Sequence, residues 1–159
     1  MDTTSLAEQV GQVLLQQKLM LVTAESCTGG GVAYAVTSVS GSSQWFDRGF
    51  VTYTNHSKQQ LLGVRTDTLA QYGAVSEATV REMAEGALQR SEAQVALSIS
   101  GIAGPGGATL DKPVGTVCFG WAVADQPVWS CIEHFRGNRQ QVREQAIQRA
   151  LQGVLDGLL

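Results

Sequence analysis

The chain has 159 residues and a net charge of -3 with a pI near 5.3, and its Lys and Arg are scattered along it. Nucleic acid as principal partner is excluded on that balance, because its affinity needs massed basic charge. The length suits one domain over residues 1–159, large enough to bury a core without disulfide or metal support.

Met1-Asp2-Thr3-Thr4 has neither the charged nor the apolar region of a signal peptide, and no apolar run approaches membrane-spanning length. The expectation is a cytoplasmic protein with no membrane partner. Cys27, Cys118 and Cys131 make no C-x-x-C pair, and an odd number cannot close a disulfide framework. His56 and His134 lie far apart without the flanking residues of a zinc motif, so no metal or cofactor is expected.

In chain order, a first helix starts near Ser5, whose spacing to Glu8 fits a capping box, and it carries Leu6, Val10, Val13 and Leu14 on one face. Leu19–Thr23 reads as a short strand, followed by a glycine-led helix with Val32, Val36 and Val39 at helical intervals. Phe46–Thr54 reads as a second strand ending at Asn55, and Ser57–Leu62 as a short helix. Ser76 is positioned to cap a helix to about Arg90, and Val95–Ser100 follows as a strand with Ser98 and Ser100 on one face. Gly101–Gly107 must be a loop. Two β-rich runs between Val114 and Phe135 flank Asp125-Gln126-Pro127 as a hairpin, and a last helix starts near Asn138. This order predicts a three-layer α/β/α fold with a mixed parallel and antiparallel sheet.

The chemistry concentrates in Thr23–Gly30, where a strand runs into a helix N-terminus and Ser26 and Cys27 stand beside Gly29, Gly30 and Gly31. Such a turn offers N–H groups to a phosphate or a developing oxyanion, or it is only a tight packing turn. It matches neither the Walker pattern nor G-x-G-x-x-G. Ser26 needs a base, for which His56 and Lys58 are available, the lysine only if burial lowers its pKa. Tyr53 has the type of group that relays a proton. Cys27 is a rival nucleophile, since a helix N-terminus can depress a thiol pKa. The Gly101–Gly107 loop, Thr116 and the arginines Arg136, Arg139 and Arg143 supply groups able to bind a phosphate or ribose.

Thr23–Gly30, Gly41–Phe46, Gly49–Asn55 with Lys58, Gly73–Glu77, Ser98–Gly106 and Lys112–Val117 together resemble the CinA C-terminal family, in order and from the first helix to the last. That family includes deamidases that convert nicotinamide mononucleotide to nicotinic acid mononucleotide and ammonia in pyridine-nucleotide salvage. The resemblance implies a serine amidohydrolase with Ser26 as nucleophile, Tyr53 as proton relay and Lys58 as base, and it favours a homodimer. Substrate contacts are also expected from Thr28, Gly29, Gly30, Ser100, Gly101, Gly104, Thr116 and Arg139, with N–H groups near Thr28 to Gly30 holding the oxyanion. Family members also occur fused behind a domain linked to nucleotide pyrophosphate hydrolysis; that activity is expected to be absent from this sequence. The alternative is a catalytically silent nucleotide-binding or regulatory module of the same fold.

Overall fold

The computed structural model describes residues 1–159. A five-stranded sheet forms from β1 (Leu21–Glu25), β2 (Phe46–Val51), β3 (Val95–Gly101), β4 (Thr116–Val123) and β5 (Trp129–His134), in the order β2-β1-β3-β4-β5. β1 is parallel to both β2 and β3, whereas β3–β4 and β4–β5 are antiparallel, giving the mixed α/β sheet that the element order predicts.

Helices cover both faces. On one side α1 (Thr3–Gln17), α2 (Gly31–Thr37) and α6 (Arg139–Leu158) bury Leu6, Val10, Leu14, Val32, Val142 and Leu151 against Leu97, Ile99 and Phe119 of the sheet. On the other, α3 (Asn55–Leu62), α4 (Thr66–Tyr72) and α5 (Glu77–Gln89) bury Leu62, Leu69, Val80 and Met83 against Val22, Ala24 and Ala96. The central strands are covered on both faces, so every residue of β1 and β4 is buried and alternation is lost there.

The element boundaries differ from expectation where local hydrogen bonds decide them. Asp2, and not Ser5, caps α1: its carboxylate accepts the Ser5 N–H at 2.8 Å. The strand expected at Leu19–Thr23 starts later, because Lys18 turns left-handed (φ 59°) and the Leu19 N–H still bonds the Leu14 carbonyl. β2 stops at Val51, since Thr54 and Ser57 form a reciprocal capping box that starts α3 at Asn55. The sequence pattern does not predict α4, which is short and mostly polar, opens without a side-chain cap and buries only Thr68 and Leu69.

The carboxyl ends of the three mutually parallel strands β1, β2 and β3 meet at one edge of the sheet, where open α/β sheets bind ligands. Helix α3 reaches that edge by a close approach to α5. A Cβ at Gly86 would strike the carbonyl of Leu62, so the glycine sets how near α3 can lie.

Candidate active site

A cleft of about 240 Å³ opens at this edge, lined by Ser26, Cys27, Tyr53, Asn55, Lys58, Ala74, Val75, Arg139 and residues between Ser100 and Gly107. Its floor is built by extending the sheet one residue beyond β1. The Ser26 N–H donates to the Ile99 carbonyl on β3 at 3.0 Å, and the Thr52 N–H donates to the Glu25 carbonyl at 2.8 Å. Ser26 is thereby fixed between two neighbouring strands before the chain turns into α2.

Lys58 sits one turn into α3, and its side chain runs inward. It is 1% exposed, its Nζ lies 3.0 Å from Ser26 Oγ, and it donates to the Thr52 carbonyl at 2.9 Å. Burial, first of all, pulls its pKa below the ordinary lysine value. No carboxylate lies within ion-pairing distance of it, so a proton on Lys58 has no counter-charge in contact. A buried amine in that state has a lone pair to offer the Ser26 hydroxyl while keeping an N–H on Thr52. His56, the other candidate base, is exposed on α3 and does not line the cleft.

Cys27 borders the cleft but belongs to the apolar core, and burial pushes its thiol up to about 11. At neutral pH it is a thiol and not a thiolate, the opposite of what a nucleophile at a helix N-terminus needs.

The N-terminus of α2 is occupied from inside the protein. Glu25, fully buried, accepts the Thr28 hydroxyl at 2.6 Å and the Val32 N–H at 2.9 Å on one oxygen, and the Ala33 N–H at 3.0 Å on the other. The free N–H groups and dipole of this helix therefore serve the chain's own carboxylate. Arg143 closes the same turn from α6, donating to the Cys27 and Thr28 carbonyls at 3.1 and 3.3 Å.

The turn departs from expectation in one respect. Gly29 and Gly30 take positive φ of 60° and 97°, which explains the glycines, but neither they nor Thr28 line the cleft. The Gly29 and Gly31 N–H groups are spent on the Ser26 and Thr28 carbonyls. Of the N–H groups from Cys27 to Gly31, those of Cys27, Thr28 and Gly30 have no acceptor, and among these residues only Cys27 faces the cleft.

Of the other expected contacts, Ser100, Gly101, Gly104 and Arg139 do line the cleft. Thr116 does not: its buried hydroxyl donates to the Pro113 carbonyl at 2.7 Å, beside His134. Tyr53 lines the cleft at its rim and is 59% exposed; its hydroxyl accepts from Arg139 at 3.0 Å and bonds neither Ser26 nor Lys58. Arg136 borders a separate surface hollow with Gly137 and Glu144.

Three contributors escaped the sequence reading. Asn55 and the Ala74-Val75 segment form part of the cleft wall, and Glu25 organises the turn from behind. Only Glu25 left a sequence signal, an acidic residue at the end of a strand leading into a helix that lacks an acidic first turn. No three His, Cys, Asp or Glu side chains converge as a metal-ligand set. No helix is long and apolar enough to cross a membrane.

Fold and cleft together define a three-layer α/β protein that presents a serine hydroxyl and a buried lysine amine at the carboxyl ends of parallel strands. The chain matches the CinA C-terminal domain over residues 3–158, and it belongs to that family. It is similar to the nicotinamide-nucleotide amidohydrolase PncC of Escherichia coli strain K12, with 56% identity over 151 residues that cover 95% of this chain and 92% of that protein. The PncC protein of Pseudomonas putida is 45% identical, with coverage of 96% and 94%. The crystal structure of competence/damage inducible protein CihA from Agrobacterium tumefaciens matches with a TM-score of 0.95 at 43% identity, covering 99% of this chain and 96% of that one.

Proposed function

We propose that this protein is a hydrolase that removes the amide nitrogen of nicotinamide mononucleotide, giving nicotinic acid mononucleotide and ammonia in pyridine-nucleotide salvage. The observation that carries the reading is the 3.0 Å contact between Lys58 Nζ and Ser26 Oγ in a nearly closed environment. The names of the PncC relatives support the substrate.

In this mechanism neutral Lys58 takes the Ser26 proton as Oγ attacks the carboxamide carbon. The resulting ammonium is held by Thr52 until it hands the proton to the departing nitrogen, leaving an acyl ester on Ser26 that water hydrolyses. The direct contact makes an intervening phenol unnecessary. We therefore assign Tyr53, with Arg139, Gly101 and Gly104, to holding the nucleotide at the rim. The steps as written use no metal or cofactor.

The reading treats residues 1–159 as one amidohydrolase domain acting in the cytoplasm as a homodimer. Light scattering coupled to size-exclusion chromatography tests the dimer, and a monomeric mass overturns it. The decisive experiment is ammonia release from nicotinamide mononucleotide by the purified protein and by Ser26→Ala. Turnover lost in the variant supports the reading; binding without turnover by the wild type points to the silent module instead.

A further inference from the structure

One buried hydroxyl of the cleft has no task in that mechanism. Ser100 is 2% exposed and lines the cleft, yet its Oγ makes no hydrogen bond within the protein. Two residues earlier on the same strand face, Ser98 has its Oγ bonded to the Val80 carbonyl at 2.6 Å. A buried polar group is normally paired, and Ser100 Oγ is not among the side-chain oxygens sealed from solvent without a partner, which are those of Thr23 and Thr52, so the free hydroxyl of Ser100 opens onto the cleft.

Strand register places it. β1 and β3 run parallel with Glu25 opposite Ile99, and the Ser26 N–H continues the ladder to the Ile99 carbonyl. Ser100 therefore stands abreast of Ser26, and both lie on the sheet face toward α3 and α5, the face to which Ala24 and Ala96 belong. On the opposite flank β2 leads into Thr52, whose carbonyl anchors Lys58. The nucleophile has the lysine on its β2 side and an unengaged hydroxyl on its β3 side.

We propose that Ser100 donates its O–H to the substrate carbonyl oxygen as that oxygen becomes an oxyanion, together with the Cys27 N–H. This rests on the deamidase reading. The proton that leaves Ser26 for Lys58 must later reach the leaving nitrogen, so the nitrogen belongs on the Lys58 flank. A carboxamide is planar and carries its oxygen on the other side of the carbon, hence toward Ser100. In the step itself the Ser26 Oγ–C bond forms, the carbonyl π pair moves onto oxygen, and Ser100 keeps its proton while hydrogen-bonding the new charge. On collapse the C–N bond breaks, the nitrogen departs with the proton from Lys58 as ammonia, and the ester remains on Ser26. The turn offers little else, since the Gly29, Gly31, Val32 and Ala33 N–H groups already have acceptors.

The test compares wild type, Ser100→Ala and Ser100→Thr in ammonia release from nicotinamide mononucleotide, with circular dichroism confirming folding. Loss of one oxyanion donor lowers kcat about 10²- to 10³-fold. The expected result is that loss in Ser100→Ala, KM within about three-fold of wild type, and recovery of most of kcat in Ser100→Thr. Should Ser100→Ala fail to fold, Ser100→Cys, a weaker donor, must still fall between wild type and a dead enzyme in kcat. A raised KM with unchanged kcat, or a kcat within about three-fold of wild type, overturns the assignment. Where that occurs while Ser26→Ala is dead, the deamidase reading stands; a wild type that releases no ammonia removes both.

Discussion

Tyr53 and Arg139 are tied to each other at the exposed rim of the cleft. One guanidinium nitrogen donates to the Tyr53 hydroxyl at 3.0 Å and the other to the Gly104 carbonyl at 2.9 Å. A single side chain from α6 thus joins the segment after β2 to the loop after β3.

Because the phenol has an arginine partner and not a catalytic one, Tyr53→Phe should cost little in the chemical step. We expect kcat to fall less than about ten-fold, with a larger effect on KM, while Ser26→Ala loses about 10⁴-fold or more. Steady-state kinetics on both variants check this; a Tyr53→Phe kcat as low as that of Lys58→Ala would restore the phenol to the proton path.

In the proposed role of base Lys58 must be neutral, and desolvation lowers its pKa. Activity should accordingly climb with pH through a single ionisation below the usual lysine value of about 10.4, and level off above it. Lys58→Arg should be inactive at every pH, since a guanidinium does not give up its proton in the accessible range. A pH–rate profile of wild type that falls with rising pH would contradict the assignment.

Cys27→Ala should keep most of the activity. With its thiol raised to about 11, almost none is ionised at pH 7. The expected cost is in stability, on the order of 1 kcal/mol for a small void in the core, read from urea denaturation.

Glu25→Ala should be among the most damaging changes that leave the cleft lining intact. It strips two buried donors, from Thr28 and Val32, and the partly buried Ala33 N–H of their acceptor. At about 1–3 kcal/mol for each buried group left unpaired, a loss of several kcal/mol is expected, and Glu25→Gln, which keeps one acceptor oxygen, should lose less. Denaturant midpoints rank the two.

Gly86→Ala tests how α3 is held. The added methyl meets the Leu62 carbonyl, so α3 must shift or the helix pair must open, at about 1–3 kcal/mol. Since α3 carries Lys58, activity should drop along with the melting temperature; full activity in a destabilised variant would show that the lysine does not depend on this spacing.

The five strands, the hairpin around Asp125, the Ser76 and Asn138 caps and the longer helices were legible because each rests on neighbours in sequence: capping side chains, apolar periodicity and turn residues. The serine, the tyrosine and the lysine were singled out by residue type and family resemblance. Which of them touch was not legible. The Lys58–Ser26 contact spans two βα segments and depends on α3 packing against α5, and the pairing of Tyr53 with Arg139 needs α6 to arrive from the far end of the chain. The turn at Gly29 and Gly30 shows the division most clearly. Local sequence dictated that it be tight and lie at a helix N-terminus, because only glycine takes those dihedrals at little cost. Tertiary structure decided what that N-terminus binds: once Glu25 is buried behind Ser26, an unpaired carboxylate there would be too costly, so the helix amides go to it, and the cleft presents Ser26 flanked by Lys58 and Ser100.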